Sequence, residues 1–382
     1  MSNETKLKLA FVCLYTACPP TSGAARVTYD CARLTPADCL LVQLGDADST
    51  ERVEGMTVVT IKCNTSSRMQ KLLAMPQVIA RICRHLKAFK PTHVVLEGAS
   101  WAVYLTMLAV VIRLALRNAK IVYHAHNVEY LLRLGREKRY IIALTRSAEK
   151  YLFSRCDFSF SVSNEDCKKI DELYGVKPGL LPNGVDCSSL APLLRQAHIT
   201  QQPLGLNGDA ILFMGFYAYP PNREAIQFLV ERVLPALRSQ RPEVQLVVTG
   251  GEVPVSYPWL IAPGVLPRRE LESVLSVARV GVAPIFSGSG TRLKILEYMA
   301  SGLPVVTTRK GAEGLDTEDG KHVLYAETPI EFQQAILRLL DDRVLAERLS
   351  SEASRFVQSR YDWHTLLQRF ATQLKESLTA AI

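Results

Sequence analysis

Residues 283–306 read APIFSGSGTRLKILEYMASGLPVV, and this stretch decides the fold. An apolar run is followed by a loop of Gly and Ser, a segment with helical spacing, a Gly and a second β-rich run. This order predicts a strand, a tight loop, a helix and a parallel strand, as in doubly wound α/β sheets. The first N–H groups of a helix have no partner within the helix, so the loop before it forms an anion site suited to a diphosphate.

The charged side chains of this segment support an anion site. Arg292 and Lys294 lie in the first predicted turn, where the helix dipole disfavours a cation by roughly 0.3–1 kcal/mol. Two cations at that end therefore indicate a bound anion. Glu297 lies about a turn later, where a carboxylate can accept both ribose hydroxyls of a nucleotide whose phosphates lie toward the helix N-terminus.

The same alternation of β-rich and helical runs extends outward over nearly the whole chain. The predicted strands are 8–15, 40–44, 57–61, 93–96, 120–124, 158–162, 210–214, 245–249, 280–284 and 304–307. The predicted helices are 24–34, 68–89, 102–116, 128–153, 165–173, 222–238, 270–277 and 293–301, with a helical tail from 331. Alternation of this kind predicts parallel sheets with helices on both faces.

A break in the middle of the chain divides it into two domains. The 382 residues are too many for one hydrophobic core. Turn residues LPNGVD at 181–186 end the first alternation, and a Pro- and Gly-containing stretch follows. We therefore predict an N-terminal domain at 1–186, a linker at 187–208, a C-terminal domain at 209–360 and a final helix at 361–382.

Several protein classes are disfavoured by what the sequence lacks. The loop after the first predicted strand, residues 19–26, contains one glycine and does not match the dinucleotide fingerprint or a Walker A motif. The nine cysteines include no CxxC pair, which disfavours a disulfide framework or a zinc site and favours a reducing compartment. No run reaches the roughly 18 apolar residues of a membrane span. We therefore expect a cytoplasmic protein.

The charge is unevenly distributed between the two halves. Residues 1–186 carry 25 Lys and Arg against 17 Asp and Glu, a net charge of +8, whereas residues 187–382 carry 20 of each. The excess cations cluster at 68–90 and 133–155. Such a surface either meets an anionic partner, such as an anionic membrane, or is a set of solvated helix faces. We expect no nucleic acid partner.

Residues 283–306 resemble the donor-site segment of family 4 retaining glycosyltransferases, in the branch with G-[SA]-G-T-R-x-K-I-L-E-x-M-A-x-G-x-P-V-V. Other segments resemble the same family along the chain. They are HNVE at 126–129, SVSNED at 161–166, LPNGVD at 181–186, FMG at 213–215, PN at 221–222, GAEGL at 311–315 and YDW at 361–363.

This resemblance implies a GT-B fold, in which two Rossmann-like doubly wound domains face each other across a cleft. It implies a retaining, metal-independent hexosyltransferase without a cofactor, which takes a sugar from a nucleotide-sugar, UDP- or GDP-linked by default. The implied acceptor is a glycan or a lipid-linked glycan in bacterial-type surface polysaccharide or glycolipid synthesis. The excess positive charge of the N-terminal half further predicts a peripheral position on the inner face of the membrane.

The resemblance also assigns roles to residues of this chain. The implied catalytic residues are His126, Lys294 and Arg292. The implied donor-binding residues are Glu297, Ser289, Gly290, Thr291, Gly215, Asn222 and Glu313. The implied acceptor-side residues are Gly23, Arg26, Asn127 and Glu129, and no metal ligand is implied.

Simpler structural roles remain open for several of these side chains. Arg26 is equally consistent with a surface position, and Glu129 with orienting the His126 loop or capping a helix. Glu313 can serve the turn that contains it. We expect His124 to point to the opposite face of its strand from His126 and to serve packing.

The chain departs from the family pattern at three points, of which one is Gly23-Ala24, where two adjacent glycines are common and would leave the acceptor-side backbone more open. Ser289 occupies the position of the first of the two glutamates of the wider family, and Phe216-Tyr217-Ala218-Tyr219 replaces the usual Arg and Lys after the strand that Gly215 ends. Neutralisation of the diphosphate would then depend on Arg292 and Lys294. The departures leave open a catalytically silent GT-B subunit that binds a partner enzyme, and a nucleotide-sugar 2-epimerase is a further alternative.

Overall fold

The computed structural model describes residues 6–63, 68–99, 101–190, 203–206, 209–288 and 293–379. They form two compact units. Unit 1 comprises Met1–Asn183 with Trp363–Ile382, and unit 2 comprises Gly184–Asp362. None of the helices in the described ranges has the length and apolar character needed to cross a membrane.

Unit 1 contains an eight-stranded sheet in the order β3-β4-β2-β1-β5-β6-β7-β8. The strands are β1 (Lys8–Val12), β2 (Asp38–Gly45), β3 (Ser49–Val53), β4 (Met56–Lys62), β5 (His93–Glu97), β6 (Lys120–Ala125), β7 (Phe158–Ser161) and β8 (Gly179–Leu180). Its helices up to this point are α1 (Gly23–Leu34), α2 (Arg68–Phe89), α3 (Ala102–Ala115), α4 (Glu129–Arg133), α5 (Arg139–Arg155) and α6 (Asn164–Tyr174). All neighbouring strands are parallel except β3 and β4.

Unit 2 contains a six-stranded parallel sheet in the order β11-β10-β9-β12-β13-β14. Its strands are β9 (Ala210–Met214), β10 (Gln245–Thr249), β11 (Leu260–Gly264), β12 (Val280–Ala283), β13 (Val305–Thr307) and β14 (Leu324–Tyr325). Its helices are α7 (Cys187–Leu190), α8 (Pro220–Phe228), α9 (Leu234–Gln240), α10 (Arg268–Val277), α11 (Leu293–Ala300), α12 (Pro329–Asp341) and α13 (Arg343–Arg360).

The final helix, α14 (Trp363–Thr379), belongs to unit 1 although it follows unit 2 in the chain. Its Phe370 ring packs edge-on against Phe160 of β7, with 5.1 Å between the centroids. The Oγ atom of Ser377 lies 3.1 Å from Nε2 of His93. Trp363 is 1% exposed, so it is a packing residue.

The doubly wound α/β architecture predicted for both halves is confirmed, and the central strands are buried on both faces as parallel strands require. The helix predicted at 128–153 is instead two helices, α4 and α5, separated at residues 134–138. The helix predicted at 222–238 starts earlier and contains a wider turn at Leu229–Val233. Parallel order places the ends of β1, β5 and β6 together at one edge of unit 1, and those of β9, β10 and β12 together in unit 2.

Candidate functional site

In unit 2, Lys294 lies in the first turn of α11, and its ammonium group is held at the end of β9. Lys294 Nζ donates a hydrogen bond to Oδ1 of Asn222 at 2.9 Å. The same nitrogen lies 3.9 Å from the ring centroid of Phe213 in β9. An aromatic face and an amide oxygen both stabilise an ammonium group, and the carboxyl end of a parallel sheet is where such folds bind ligands.

Glycine allows the side chains of Lys294 and Asn222 to pack against the backbone that follows β9. Gly215 follows β9, and a Cβ atom there would lie 2.8 Å from Lys294 Nζ and 2.8 Å from Cγ of Asn222. Gly250 follows β10, and a Cβ there would lie 2.9 Å from the carbonyl carbon of Gly215. Any larger residue at position 215 would therefore displace the lysine or the asparagine. The structure brings together the three predicted residues Gly215, Asn222 and Lys294.

Glu297 lies three residues after Lys294 and so on the same side of α11. Its side chain is 18% exposed, and Oε1 lies 3.7 Å from Nη1 of Arg268 at the start of α10. Arg268 also contacts Oε1 of Glu272 at 2.6 Å and donates to Oγ of Ser189 at 3.1 Å. The carboxylate is thus accessible, but an arginine that has other partners already neutralises part of its charge.

The remaining donor-side predictions fall elsewhere. Glu313 pairs with Lys310, with Oε2 2.5 Å from Nζ, within the turn that follows β13, which agrees with the turn role left open for it. Ser287, at the start of the small-residue loop, donates from Oγ to Oε2 of Glu224 at 2.9 Å. Ser289, Gly290, Thr291 and Arg292 lie outside the described residues.

In unit 1, the centre of the sheet edge holds a buried carboxylate between two histidines. Oε2 of Glu97, the last residue of β5, lies 2.5 Å from Nε2 of His126 and 3.1 Å from Nδ1 of His124. Thr28 of α1 donates to the same oxygen at 3.3 Å. The side chains of Glu97, His124 and His126 are 0%, 1% and 6% exposed.

The protonation states in this cluster follow from burial and proximity. Burial alone would raise the pKa of Glu97, but the hydrogen bonds and charges of the two histidines outweigh it and lower the pKa to about 2. Burial lowers the pKa of His126, and the contact with Glu97 only partly opposes this. The glutamate is therefore ionised and His126 is neutral near pH 7.

The cluster corrects one sequence prediction and adds a residue that the sequence analysis missed. His124 does not point away from His126: the two rings lie 4.9 Å apart, and His124 bonds the same carboxylate. The reason is that residues two apart in a strand share a face, and His126 directly follows the last residue of β6, so the alternation continues to it. Glu97 was missed, although an acidic residue that ends a buried apolar strand is a usable signal of a ligand-binding edge.

Glu129 lies near His126 in sequence and serves as a helix cap. Its Oε2 accepts from the backbone N–H of Ala102 at the start of α3 at 2.6 Å, and its Oε1 accepts from Nε of Arg133 at 2.8 Å. Buried Glu149 of α5 in turn accepts from the backbone N–H of Glu129 at 2.7 Å and of Tyr130 at 2.8 Å. These two carboxylates satisfy the unpaired N–H groups that begin α3 and α4, which agrees with the capping role left open for Glu129.

The other acceptor-side predictions lie near the first turns of α1 and beside His126. Gly23 begins α1 after Ser22, whose Oγ accepts from the N–H of Ala25 at 3.2 Å. Arg26 pairs with buried Asp30, with Nε 2.9 Å from Oδ2, which ties it to its own helix. Asn127 is half-buried directly after His126.

Within the described ranges, Glu97, His124 and His126 are also the one group of side chains placed closely enough to hold a metal ion, with ligand atoms within 4.8 Å of one another. The three atoms that face each other are arranged as hydrogen-bond partners, since Oε2 of Glu97 contacts both rings. Hydrogen bonding therefore accounts for their grouping.

Two protein-family models match most of the chain. The model described as Glycosyltransferase Family 4 matches residues 21–189, and that described as Glycosyl transferases group 1 matches residues 208–342. A phosphatidyl-myo-inositol mannosyltransferase of Propionibacterium freudenreichii is 27% identical over 219 residues, which cover 56% of this chain and 55% of that protein. The chain spans about half the length of the curated relatives it matches.

Solved structures resemble the chain over nearly its full length. Sucrose-phosphate synthase from Thermosynechococcus elongatus has a TM-score of 0.74 at 16% identity and covers 99% of this chain and 100% of its own. Anabaena HepE in complex with UDP-glucose has a TM-score of 0.69 at 14% identity, covering 98% and 100%. The two family models and the two solved structures agree with the two doubly wound sheets of this chain. The chain therefore belongs to the glycosyltransferases of the GT-B fold.

Proposed function

We propose that the chain transfers a sugar from a UDP- or GDP-sugar to a glycan or lipid-linked acceptor, with retention of configuration and without a metal ion. The observation that carries the proposal is the ammonium of Lys294, held 2.9 Å from Asn222 at the glycine-lined end of β9. A localised cation at the carboxyl end of a parallel strand suits the oxygens of a diphosphate. The setting is bacterial-type surface polysaccharide or glycolipid synthesis.

The relatives support a nucleotide-sugar as the donor. Anabaena HepE was solved with UDP-glucose, and the Propionibacterium relative is named for mannosyl transfer. Glu297, a turn after Lys294 on one side of α11, is the proposed acceptor of the ribose hydroxyls. Ligand hydroxyls would compete there with Arg268, which lies at 3.7 Å and has other partners.

The proposed reaction proceeds by displacement on the face of the sugar from which the diphosphate leaves. The anomeric C–O bond to the diphosphate breaks as the acceptor oxygen bonds to the same carbon, and the departing diphosphate receives the acceptor proton. Lys294 and Arg292 would stabilise the charge that develops on the diphosphate, which makes a metal ion unnecessary. His126 would hold a substrate hydroxyl in position for the transfer.

A donor-hydrolysis screen tests this function. The purified chain is incubated with UDP-, GDP- and dTDP-sugars, and the released nucleotide diphosphate is measured. We expect release from one sugar and one base above all others, and no effect of a chelator. Absence of both nucleotide binding and release would identify a silent GT-B subunit, and formation of an epimer without acceptor would identify an epimerase.

A second proposal concerns the location of the acceptor. We propose that unit 1 associates with an anionic membrane surface and that this membrane carries the acceptor. The exposed side of α4 and α5 and their connection mixes apolar and basic side chains. Leu134, Tyr140 and Leu144 are 45%, 67% and 46% exposed. The exposed basic residues among them are Arg136, Lys138, Arg139, Arg146 and Lys150.

Three of the basic residues that cluster in the sequence are engaged within the fold. Lys71 donates to the carbonyl of Leu14 at 3.1 Å, Arg81 pairs with Asp48 at 2.5 Å, and Arg133 is bound to Glu129. The membrane proposal is made for the α4–α5 surface, where exposed basic residues lie among exposed apolar ones. A basic residue near an anionic surface contributes about 1 kcal/mol, so four or five engaged together would give reversible binding.

Liposome co-sedimentation at low salt tests the surface. We expect the chain to sediment with anionic vesicles, to remain in solution with neutral ones, and to be released as salt is added. Charge reversal by Arg139→Glu with Lys150→Glu should abolish binding. The same change of net charge by Lys168→Glu with Lys177→Glu, on exposed positions outside this surface, should not. Equal partitioning with both kinds of vesicle would refute membrane association.

A further inference from the structure

The buried carboxylate of Glu97 is unusual in how its two oxygens are used. Oε2 accepts from His126, His124 and Thr28, whereas Oε1 is buried and has no hydrogen-bond partner among the described residues. A buried ionised carboxylate is costly unless its partners are fixed. All hydrogen bonds of the Glu97 carboxylate are therefore made through Oε2. The shortest of them, at 2.5 Å, is to His126.

Close packing of two strand ends sets this contact. The N–H of Gly98 donates to the carbonyl of His124 at 2.7 Å. A Cβ atom at Gly98 would lie 2.7 Å from that carbonyl oxygen and 3.0 Å from Cα of Ala125. Only glycine allows the ends of β5 and β6 to approach this closely, and the approach brings Glu97 to both histidines.

The ionised carboxylate determines which ring nitrogens carry protons. A carboxylate only accepts, so Nε2 of His126 and Nδ1 of His124 must both be N–H donors. A neutral imidazole has one N–H and one bare nitrogen, which leaves Nδ1 of His126 as an acceptor. The lowered pKa of His126 agrees with a neutral ring. Nδ1 has no partner among the described residues, and His126 is the most exposed of the three side chains.

We propose that Glu97 is a positioning residue: it fixes His126 as the Nε2–H tautomer and so presents Nδ1 as the acceptor for a substrate hydroxyl group. His124 holds Glu97 in place through its own N–H. The inference rests on the proposed function for the nature of the substrate, because sugars supply hydroxyl donors. The tautomer itself is a property of the ligand-free protein.

A shared metal ion is the competing explanation for the cluster, and the distances disfavour it. Two ligand atoms each about 2.0–2.1 Å from a tetrahedral ion lie roughly 3.3 Å apart. Nε2 of His126 lies 2.5 Å from Oε2 of Glu97, which is a hydrogen-bond distance. Both histidines also face one carboxylate oxygen, so the arrangement is that of an acceptor with its donors.

The first test is nitrogen NMR of the histidine-labelled full chain, in which His126→Gln assigns the resonance among the seven histidines. We expect His126 to be the Nε2–H tautomer in the native protein. Glu97→Gln is isosteric, but its amide can also donate, so the ring should shift toward Nδ1–H. Glu149→Gln removes another buried carboxylate of unit 1, a helix cap, and should leave the His126 tautomer unchanged.

The second test separates positioning from binding. Loss of the Nδ1 acceptor in Glu97→Gln should lower kcat about tenfold to a hundredfold, the cost of one unmade buried hydrogen bond. Nucleotide affinity measured by calorimetry should stay unchanged, because Glu97 lies in unit 1. Thr28→Val, which removes a weaker contact to the same oxygen, should keep the tautomer.

An unchanged His126 tautomer in Glu97→Gln would overturn the inference, and would leave the transferase proposal intact because the spectrum needs no activity. A stoichiometric metal whose removal by a chelator alters the spectra of both histidines would overturn it as well. If Glu97→Gln does not fold, Gly98→Ala provides the alternative variant, because a Cβ there must separate the strand ends. An unchanged His126 spectrum in that variant would also count against the inference.

Discussion

The two units place different chemistry on the same architecture. In unit 2, Gly215 follows a central parallel strand, and the ammonium group of Lys294 from a helix packs against it. In unit 1, the end of a central strand carries Glu97, which is buried and bonded to His126. One edge thus offers a localised positive charge, and the other offers a neutral ring oriented by a buried anion. A parallel sheet fixes where a site forms, and the residues at the strand ends decide what it binds.

This difference has a chemical meaning for a sugar transferase. A leaving diphosphate gains negative charge as its bond breaks, so a fixed ammonium contributes most in the transition state. A hydroxyl group carries no charge in the ground state, so its binding requires an oriented acceptor. Separate variants in the two units should therefore have separable effects on turnover and on nucleotide binding.

The largest effect is expected for Lys294→Ala in unit 2. Removal of a charge aimed at the departing diphosphate should lower kcat by about 10²–10³-fold, with a smaller change in the donor KM. Steady-state and single-turnover rates measure this. Lys321→Ala removes another lysine of the same unit, which pairs with Glu318, and should leave the rate unchanged. A change confined to KM would reduce Lys294 to a ground-state ligand.

A smaller effect is expected for Glu297→Gln. A neutral amide accepts the two ribose hydroxyls less well, so nucleotide affinity should fall by about 1.5–3 kcal/mol, the range for hydrogen bonds to charged groups. Calorimetry with the nucleotide diphosphate measures it. Arg268→Ala serves as the comparison, because it removes the ion pair at 3.7 Å but keeps the carboxylate. Unchanged nucleotide affinity in Glu297→Gln would assign that residue to the ion pair alone.

The smallest effect concerns two buried carboxylates of unit 1 with opposite pKa shifts. The pKa of Glu97 is lowered from 4.5 to about 2, so its stabilisation is present above pH 4.5 and is lost as the pH falls toward 2. Burial raises the pKa of Glu149 from 4.5 to about 7, so the stabilisation from this group is fully present below pH 4.5 and is lost as the pH rises through 7.

Thermal unfolding midpoints across this pH range measure the contrast. Glu149→Gln should flatten the decline between pH 4.5 and 7, and Glu97→Gln should flatten the loss below pH 4.5. Each glutamine variant serves as the control for the other, because each removes one buried carboxyl group from unit 1. Identical pH profiles of the two variants would contradict the assignment of opposite shifts.

The sequence predicted the elements that depend on local pattern and missed those that depend on partners. Strands β9 and β10 lie where their apolar runs predicted them. Strand β3, at Ser49–Val53, was missed because it is an exposed edge strand of mostly polar residues that pairs antiparallel with β4. The backbone hydrogen bonds to β4 stabilise this strand, and its sequence has no hydrophobic alternation that would predict it.

The candidate sites show the same division. The resemblance predicted Gly215, Asn222 and Lys294, which the fold brings together although they are distant in sequence. Glu97 and His124 were not predicted as partners of His126, because their meeting depends on the register between β5 and β6 and on the side-chain rotamers at the strand ends. The contacts with Glu97 are tertiary, and the periodicity of a single strand does not predict them.

The return of α14 to unit 1 has a consequence for biosynthesis. Unit 2 is inserted within unit 1, so a ribosome completes the whole of Gly184–Asp362 before it makes the helix against which Phe160 packs. Unit 2 is continuous in sequence and can fold as soon as it leaves the exit tunnel. Unit 1 must wait, with the surface that α14 covers open to chaperones, until Trp363–Thr379 emerges.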